Sequence, residues 1–439
     1  MKRNAPSSSI RRRDFLKSVT LAGAAIGFPT IVPSSVFGQN APSNRINLGL
    51  IGMGLQMRGH AGMMLQKKEV QVMAVCDVYR DRREKWKAAA NSAYAANTAS
   101  GSYKGCDAYN EFERVLERSD IDAVIVATPD HWHVPISLAA VRAGKDVYCE
   151  KPLILTVREG RLLADAVKQY GAIFQVGTQQ RSDFAFRRAA EIVRSGWIGK
   201  VSNIEICIGD FPQPDPMPEE PIPDGLDYDR WLGPTPWFPY NSQRILSSFG
   251  GGWRRYWEYG SRKHGDWGAH HFDIAQWALG MDESGPVEFV PRHYHGDNLQ
   301  THTYANGTVV TRVESMIPGR LFDEYMIRFI GDSGEVLVAR GGCLETNPAT
   351  LVKRPLTTSD VHLYKSEEHH ENWLESIRSR KPTICPAETG YRTATICALG
   401  AIAQRIGRPI KWDPAKEEII GDEEASRWLD RPRRAPYTI

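Results

Sequence analysis

Short apolar runs alternate with longer amphipathic stretches from residue 46 onward. Residues 46–51, 70–76, 122–127 and 146–149 read as buried strands. A stretch reaching about residue 66, then 135–143 and 156–170, read as helices between and after them. Thr128-Pro129 ends the third of these strands. Strands that alternate with helices predict a doubly wound parallel sheet. Further on the period shortens to two. Residues 287–295, 300–305, 308–315, 325–330 and 335–339 read as strands of a second sheet, with Gly331-Asp332-Ser333-Gly334 as a hairpin turn. Residues 269–279, 371–380 and 390–406 read as helices, and Lys381-Pro382 ends the second. The proline-rich stretch 211–223 is expected to be irregular, and the Arg- and Pro-rich tail 428–439 to lie extended against a domain. There is no internal repeat.

Composition narrows the class. A chain of 439 residues, 41% hydrophobic and 24% charged, is neither disordered nor fibrous and should form two or three domains. Its net charge is +3, but residues 1–38 alone carry +5 and the remainder −2, so no basic footprint for nucleic acid is left. The first segment runs from a basic head through an apolar core at 19–32 to Val36-Phe37-Gly38, the order expected of a signal peptide with its cleavage site. That core has 14 residues, against about 20 for a membrane span. Arg12-Arg13-Asp14-Phe15-Leu16-Lys17 looks like a twin-arginine signal, which implies the twin-arginine export machinery as a partner. A basic or amphipathic tail is the alternative. The expectation is an exported, periplasmic protein without stable membrane insertion after processing. Seven scattered cysteines form no CxxC pair and no disulfide framework.

Gly52-Met53-Gly54 follows the first strand at once, and Asp77 ends the second, 25 residues after Gly52. Glycine there lets a pyrophosphate reach the amides of a helix N-terminus, and an acid at that spacing bonds the ribose hydroxyls. A carboxylate repels a 2′-phosphate, so NAD is favoured over NADP, a preference that nearby Arg80 tempers. Met57 stands at the third glycine position of the fingerprint. Lys151 follows a strand, where ligands of open α/β sheets bind. A lysine there, beside a cationic ring, suits proton exchange with a hydroxyl. Asp266 and His270, at i and i+4, share one helical face and form a proton-handling pair. His271 and Asp273 are their neighbours if the helix is rotated by one residue. His264, His270 and His271 match no standard metal spacing, so no metal is assigned.

Thr128-Pro129-Asp130-His131-Trp132-His133, Ala143-Gly144-Lys145, Glu150-Lys151-Pro152 and the run from Gly265 to Asp273 resemble the glucose-fructose oxidoreductase/inositol dehydrogenase (Gfo/Idh/MocA) family. The segment 184–200 is similar to that family's entry into its second domain. The resemblance implies an α/β fold: a signal peptide at 1–38, a Rossmann NAD(P)-binding domain at 44–172, and a C-terminal α/β domain at 173–439. The last carries a large, mainly antiparallel open sheet for substrate and oligomer contacts, dimer or tetramer. It also implies Lys151, Asp266 and His270 as catalytic residues. Gly52, Gly54, Asp77, Thr128, Pro129, His133, Glu150 and Lys151 become cofactor contacts, with His131 the alternative to His133.

The aromatic-rich segment 231–277 is expected to contribute Trp253, Tyr256 and Trp267 to the substrate site. Arg181 either lines the cleft or forms a structural ion pair. The implied activity is oxidation or reduction of a secondary hydroxyl on a sugar or glycoside by a tightly bound, internally recycled NAD. NAD-dependent glycoside cleavage through a transient keto-sugar and non-catalytic sugar binding are the alternatives.

Overall fold

Residues 70–76 are all buried, because a strand inside a parallel sheet is covered by helices on both faces. The protein is described here by a computed structural model covering residues 45–313 and 326–439, so the expected signal segment lies outside the described residues. Strands β1 (Ile46–Ile51), β2 (Val70–Cys76), β3 (Asp107–Tyr109), β4 (Ala123–Val126), β5 (Asp146–Cys149) and β6 (Phe174–Val176) form a parallel sheet in the order 3-2-1-4-5-6. The order reverses between β1 and β4, and the crevice beyond their C-terminal ends is the binding position of such sheets. Helices α1 (Met57–Met64), α2 (Arg80–Ala93), α3 (His133–Arg142) and α4 (Val157–Tyr170) lie in four of the five connections, and a short helix at Phe112–Leu116 lies in the one from β3 to β4. Thr156 and Glu159 close a capping box on α4, and Gly171, at φ 65°, ends it. β6 carries this sheet past the expected boundary at 172.

Nine strands form the second sheet among the described residues: β7 (Val201–Cys207), β8 (Glu288–Val290), β9 (Gln300–Thr303), β10 (Val309–Val313), β11 (Met326–Gly331), β12 (Glu335–Ala339), β13 (Cys343–Asn347), β14 (Ile410–Asp413) and β15 (Glu418–Ile419). Their order is 13-12-11-7-10-9-8-14-15, antiparallel except where β7 meets β10. β10 and β12 alternate buried and half-buried positions, as one covered face requires. The covering helices are α5 (Phe184–Arg194), α6 (Arg262–Leu279) and α8 (Ala387–Ile406), while α7 (His369–Ser379) packs near the first sheet's edge.

Three local expectations change. The strand expected at 287–295 ends at Val290, because Pro291 has no amide for the ladder and His293 turns to φ 66°. Residues 314, 315 and 325 of two other expected strands lie outside the described residues. α6 begins at Arg262, seven residues earlier than its apolar period suggested, since Gly265 and Gly268 are weak helix formers. Packing overrides propensity: a Cβ on Gly268 would stand 3.1 Å from Cys397 Sγ on α8. The tail is extended in part: Trp428 and Leu429 belong to a 3₁₀ turn and 435–436 to another turn, while Arg434 N donates to Pro234 O at 2.9 Å and Tyr437 stands edge-on to Trp132 at 5.4 Å.

Candidate active site

Gly52 has φ +86°, and a Cβ there would lie 2.8 Å from the backbone nitrogen of Thr128, so only glycine lets β1 turn this close to the end of β4. Beyond that turn opens a cleft of about 870 Å³ lined by Gly52, Gly54, Asp77, Thr128, Pro129 and Trp253. Asp77 accepts the amides of Met53 at 2.7 Å and Tyr79 at 2.8 Å, one on each oxygen, leaving a lone pair on each. Burial raises its proton affinity, while Arg82 and the two amides oppose that. Arg82, not Arg80, shares the cleft wall with Asp77; Arg80 is exposed and folds toward Gly225. Thr128 Oγ1 is buried with no hydrogen bond, a free polar atom in the wall. A dinucleotide fits this wall: glycine turn, ribose acceptor and open crevice are all present.

A second group of residues sits beyond the C-terminal end of β5. Lys151 Nζ donates to Asp266 Oδ1 at 2.5 Å and to the Asp266 carbonyl at 3.2 Å. Burial would raise the Asp266 pKa, but Lys151 and Arg254 outweigh it and hold the carboxyl below its usual range. Arg254 Nε lies 3.6 Å from the same Oδ1 and its side chain also lines the dinucleotide cleft, so it links the two regions. One turn along α6, His270 is buried with Nδ1 unbonded. Burial, then Lys151 and Arg340, push its pKa well below the ordinary value, so the ring is neutral. Asp130 completes the group: burial, against Arg254 and with Asp266, lifts its carboxyl to about 8. It therefore carries a proton at pH 7.

Comparison with known proteins fits this two-part arrangement. Residues 46–178 match the model for the oxidoreductase family's NAD-binding Rossmann fold, and 211–439, more than half the chain, match its C-terminal alpha/beta domain. The chain belongs to the Gfo/Idh/MocA family. A glycosyl hydrolase family 109 protein of Solibacter usitatus is 32% identical over 155 residues, 34% of each chain. Inositol 2-dehydrogenase 2 of Saccharopolyspora erythraea is 29% identical over 194 residues, 43% of this chain and 53% of that one. The matched stretches thus span a third to about half the length of these curated relatives. Among solved structures, the WlbA dehydrogenase of Bordetella pertussis, in complex with NADH and UDP-GlcNAcA, has the same fold. It is 16% identical, with a TM-score of 0.57, and the match covers 84% of this chain and 99% of that one.

Within this Gfo/Idh/MocA chain several expected contacts do something else. Both ring nitrogens of His133 face backbone carbonyls, Pro152 O at 2.8 Å and Thr128 O at 2.9 Å, so His133 holds loops together and does not face the cleft. His131 does likewise with Trp231 O at 2.9 Å, and burial lowers it to about 4. In that motif the Asp130 carboxyl is buried, with Ser261 Oγ donating to Oδ2 at 3.4 Å. Glu150 lies away from the cleft, bonded to His60 and Gln179 at 3.0 Å each. Arg181 is the structural alternative: its buried guanidinium holds Asp273 at 2.7 Å and Asp282 at 2.7 Å. Asp273 therefore belongs to an ion pair, and His264 bonds Cys397 O at 3.2 Å.

Tyr256 is not a cleft residue either. It is buried in an apolar cluster under Arg244, whose guanidinium stands 4.3 Å above its ring. Trp253 walls the dinucleotide cleft rather than a separate sugar site, while Trp267 is edge-on to His270 at 5.8 Å with Arg340 4.5 Å over its ring. Arg254, Arg340 and Asp130 were not assigned roles from sequence. Arg254 had one signal, its place beside Trp253 in the glycine-rich aromatic segment. Among the described residues no group of three or more His, Cys, Asp or Glu side chains is placed to hold a metal, and no helix is long and apolar enough to cross a membrane.

Proposed function

We propose that the protein is a nicotinamide-dependent oxidoreductase acting on a secondary hydroxyl of a sugar, polyol or glycoside. The observation that carries this reading is the Lys151–Asp266 contact at 2.5 Å, placed at the strand ends beside the glycine-turn cleft. The nicotinamide, bound in that cleft, supplies the hydride acceptor or donor. Lys151 holds the hydroxyl oxygen, and Asp266 with neutral His270 offers acceptors for its proton. Arg254 and Arg340 stand where hydroxyls or an anionic substituent would be gripped. The Asp77 carboxylate supports NAD over NADP, with Arg82 narrowing the difference.

The cofactor is held tightly and recycled in place, in a protein exported through the twin-arginine route. Supporting this, the segment 245–254 crosses the glycine turn, with Ser247 Oγ accepting the Leu55 amide at 3.4 Å. Such a strap slows dinucleotide exit. Assembly as a dimer or tetramer is part of the same proposal. A second reading, glycoside cleavage through a transient keto-sugar, is supported by the Solibacter relative's name and by Asp130, a carboxyl that still holds a proton to give to a leaving oxygen. Purified protein should carry nicotinamide absorbance near about 340 nm that changes on adding myo-inositol or other polyols and sugars. Release of p-nitrophenol from p-nitrophenyl glycosides without net absorbance change would favour cleavage. Neither response, in protein loaded with NAD, would overturn both readings. For export, substituting Arg12 and Arg13 by Lys should leave the protein inside the cell.

A further inference from the structure

The Arg- and Pro-rich tail, which the mechanism above does not use, helps to close a second cavity of about 810 Å³. Trp428 and Arg431 of the tail line it together with Leu155, Trp257, Glu258 and Arg405, the last from the final turn of α8. A smaller cavity of about 510 Å³ adjoins it, sharing Leu155, Trp257, Arg405, Trp428 and Arg431. Neither shares a lining residue with the dinucleotide cleft, so the two cavities form a place of their own. Their size suits a small organic ligand.

The charged groups around this cavity divide into paired and unpaired. Glu159 accepts the amides of Leu155 at 2.7 Å and Thr156 at 2.8 Å, and lies 3.5 Å from Arg433, which also holds Asp430 at 2.9 Å. Those four charges are answered within the fold. Arg405 is not. Its guanidinium is exposed and lies over the Trp428 ring, 3.8 Å from the centroid, and 5.5 Å from the centroid of Trp257. It makes no hydrogen bond, and no carboxylate among the described residues is within 4.0 Å of it. Arg431 gives Nη1 to the Trp257 carbonyl, while its buried Nε bonds nothing. Burial lowers the Arg431 pKa; Glu159 opposes this and Arg405 adds to it, as two cations without a counter-ion between them must. Glu258, half-buried, likewise has no hydrogen bond or ion pair. Two unanswered cations therefore face one unanswered carboxylate.

This set specifies a ligand. A guanidinium stacked on a ring keeps its N–H edge for an acceptor, and that edge matches a carboxylate with two parallel hydrogen bonds. Glu258 only accepts, so it calls for hydroxyl donors. Trp257 offers an aromatic surface to the C–H face of a sugar ring. A neutral sugar would leave both guanidiniums unanswered, and a bare inorganic anion would meet Glu258 with no donor to give it. We propose that this cavity binds an acidic carbohydrate, its carboxylate held by Arg405 and Arg431 and its hydroxyls by Glu258. It is a binding site apart from the reaction centre, and it does not depend on the oxidoreductase reading.

The test is calorimetric titration of the full chain, at saturating NAD, with sodium glucuronate, glucose and sodium sulfate. Glucuronate should bind about tenfold or more tightly than either of the others, the worth of charge-assisted hydrogen bonds that each lacks in part. Arg405→Gln alters an exposed side chain and should weaken glucuronate by about tenfold or more with Tm unchanged. Glu258→Gln should weaken glucuronate without weakening sulfate, and Lys151→Ala should leave glucuronate binding as it was. Glucuronate binding no tighter than glucose, or unchanged in Arg405→Gln, would overturn the site. Sulfate equal to glucuronate would overturn the carbohydrate, and loss of binding in Lys151→Ala alone would move the acid to the reaction centre and overturn the proposal. Failure of the 340 nm assay with glucuronate binding intact would count against the oxidoreductase reading alone.

Discussion

Lys151 Nζ and Asp266 Oδ1 lie 2.5 Å apart although 115 residues separate them in the chain. The contact joins the end of β5 to the second turn of α6 at the reaction centre. Lys151→Ala should therefore lower kcat by about 10²–10⁴-fold, the usual worth of a positioned proton-handling group, with nucleotide affinity little changed. Asp266→Asn should do the same. Retention of turnover in Lys151→Ala, measured on whichever sugar responds, would remove the assignment.

Asp130 makes a prediction about pH and stability. Its folded-state pKa is raised to about 8 by burial, above the ordinary carboxyl value near about 3.9. The folded protein then binds the extra proton, so this group's contribution is complete at low pH and fades as pH rises toward 8. The slope is at most about 1.4 kcal/mol per pH unit for one proton. Asp130→Asn should flatten the fall in Tm between pH 5 and 8. An identical Tm profile in the two proteins would show that Asp130 is ionised.

Arg181 should matter for stability and not for binding. It is buried between Asp273 and Asp282, and removing it leaves an uncompensated buried carboxylate. Arg181→Ala should cost about 3–5 kcal/mol in urea unfolding, while the Kd for NAD of the folded fraction stays the same. A large change in that Kd would restore Arg181 to the cleft.

Asp77 should set nucleotide choice. Replacing it with Ser removes the repulsion toward a 2′-phosphate and leaves Arg82 to attract one. Losing a charge-assisted hydrogen bond of about 1.5–3 kcal/mol should weaken NAD about tenfold or more while NADP binding tightens. Calorimetric titration with each nucleotide decides it; parallel losses for both would show that Asp77 only braces the turn.

The sequence by itself determined the alternation of strand and helix, the glycine turn with its acid, and the Glu-Lys-Pro and Asp-to-His motifs, because each is a local pattern of period, spacing or backbone need. It also determined that the basic excess belongs to residues 1–38. Only the tertiary structure decided which motif residues face the site. His131 and His133 were indistinguishable in sequence from ligand-facing histidines, yet backbone carbonyls claim their rings. Whether Arg181 met a substrate or two carboxylates depended on Asp273 and Asp282, residues 92 and 101 positions away. Short strands such as β3, β6 and β15 carry too few residues to show a period. The His60–His370 contact spans 310 residues, and no local pattern marks it. Spacing reports on neighbours along one element; burial, which sets the charge and partners of these groups, depends on how distant elements pack.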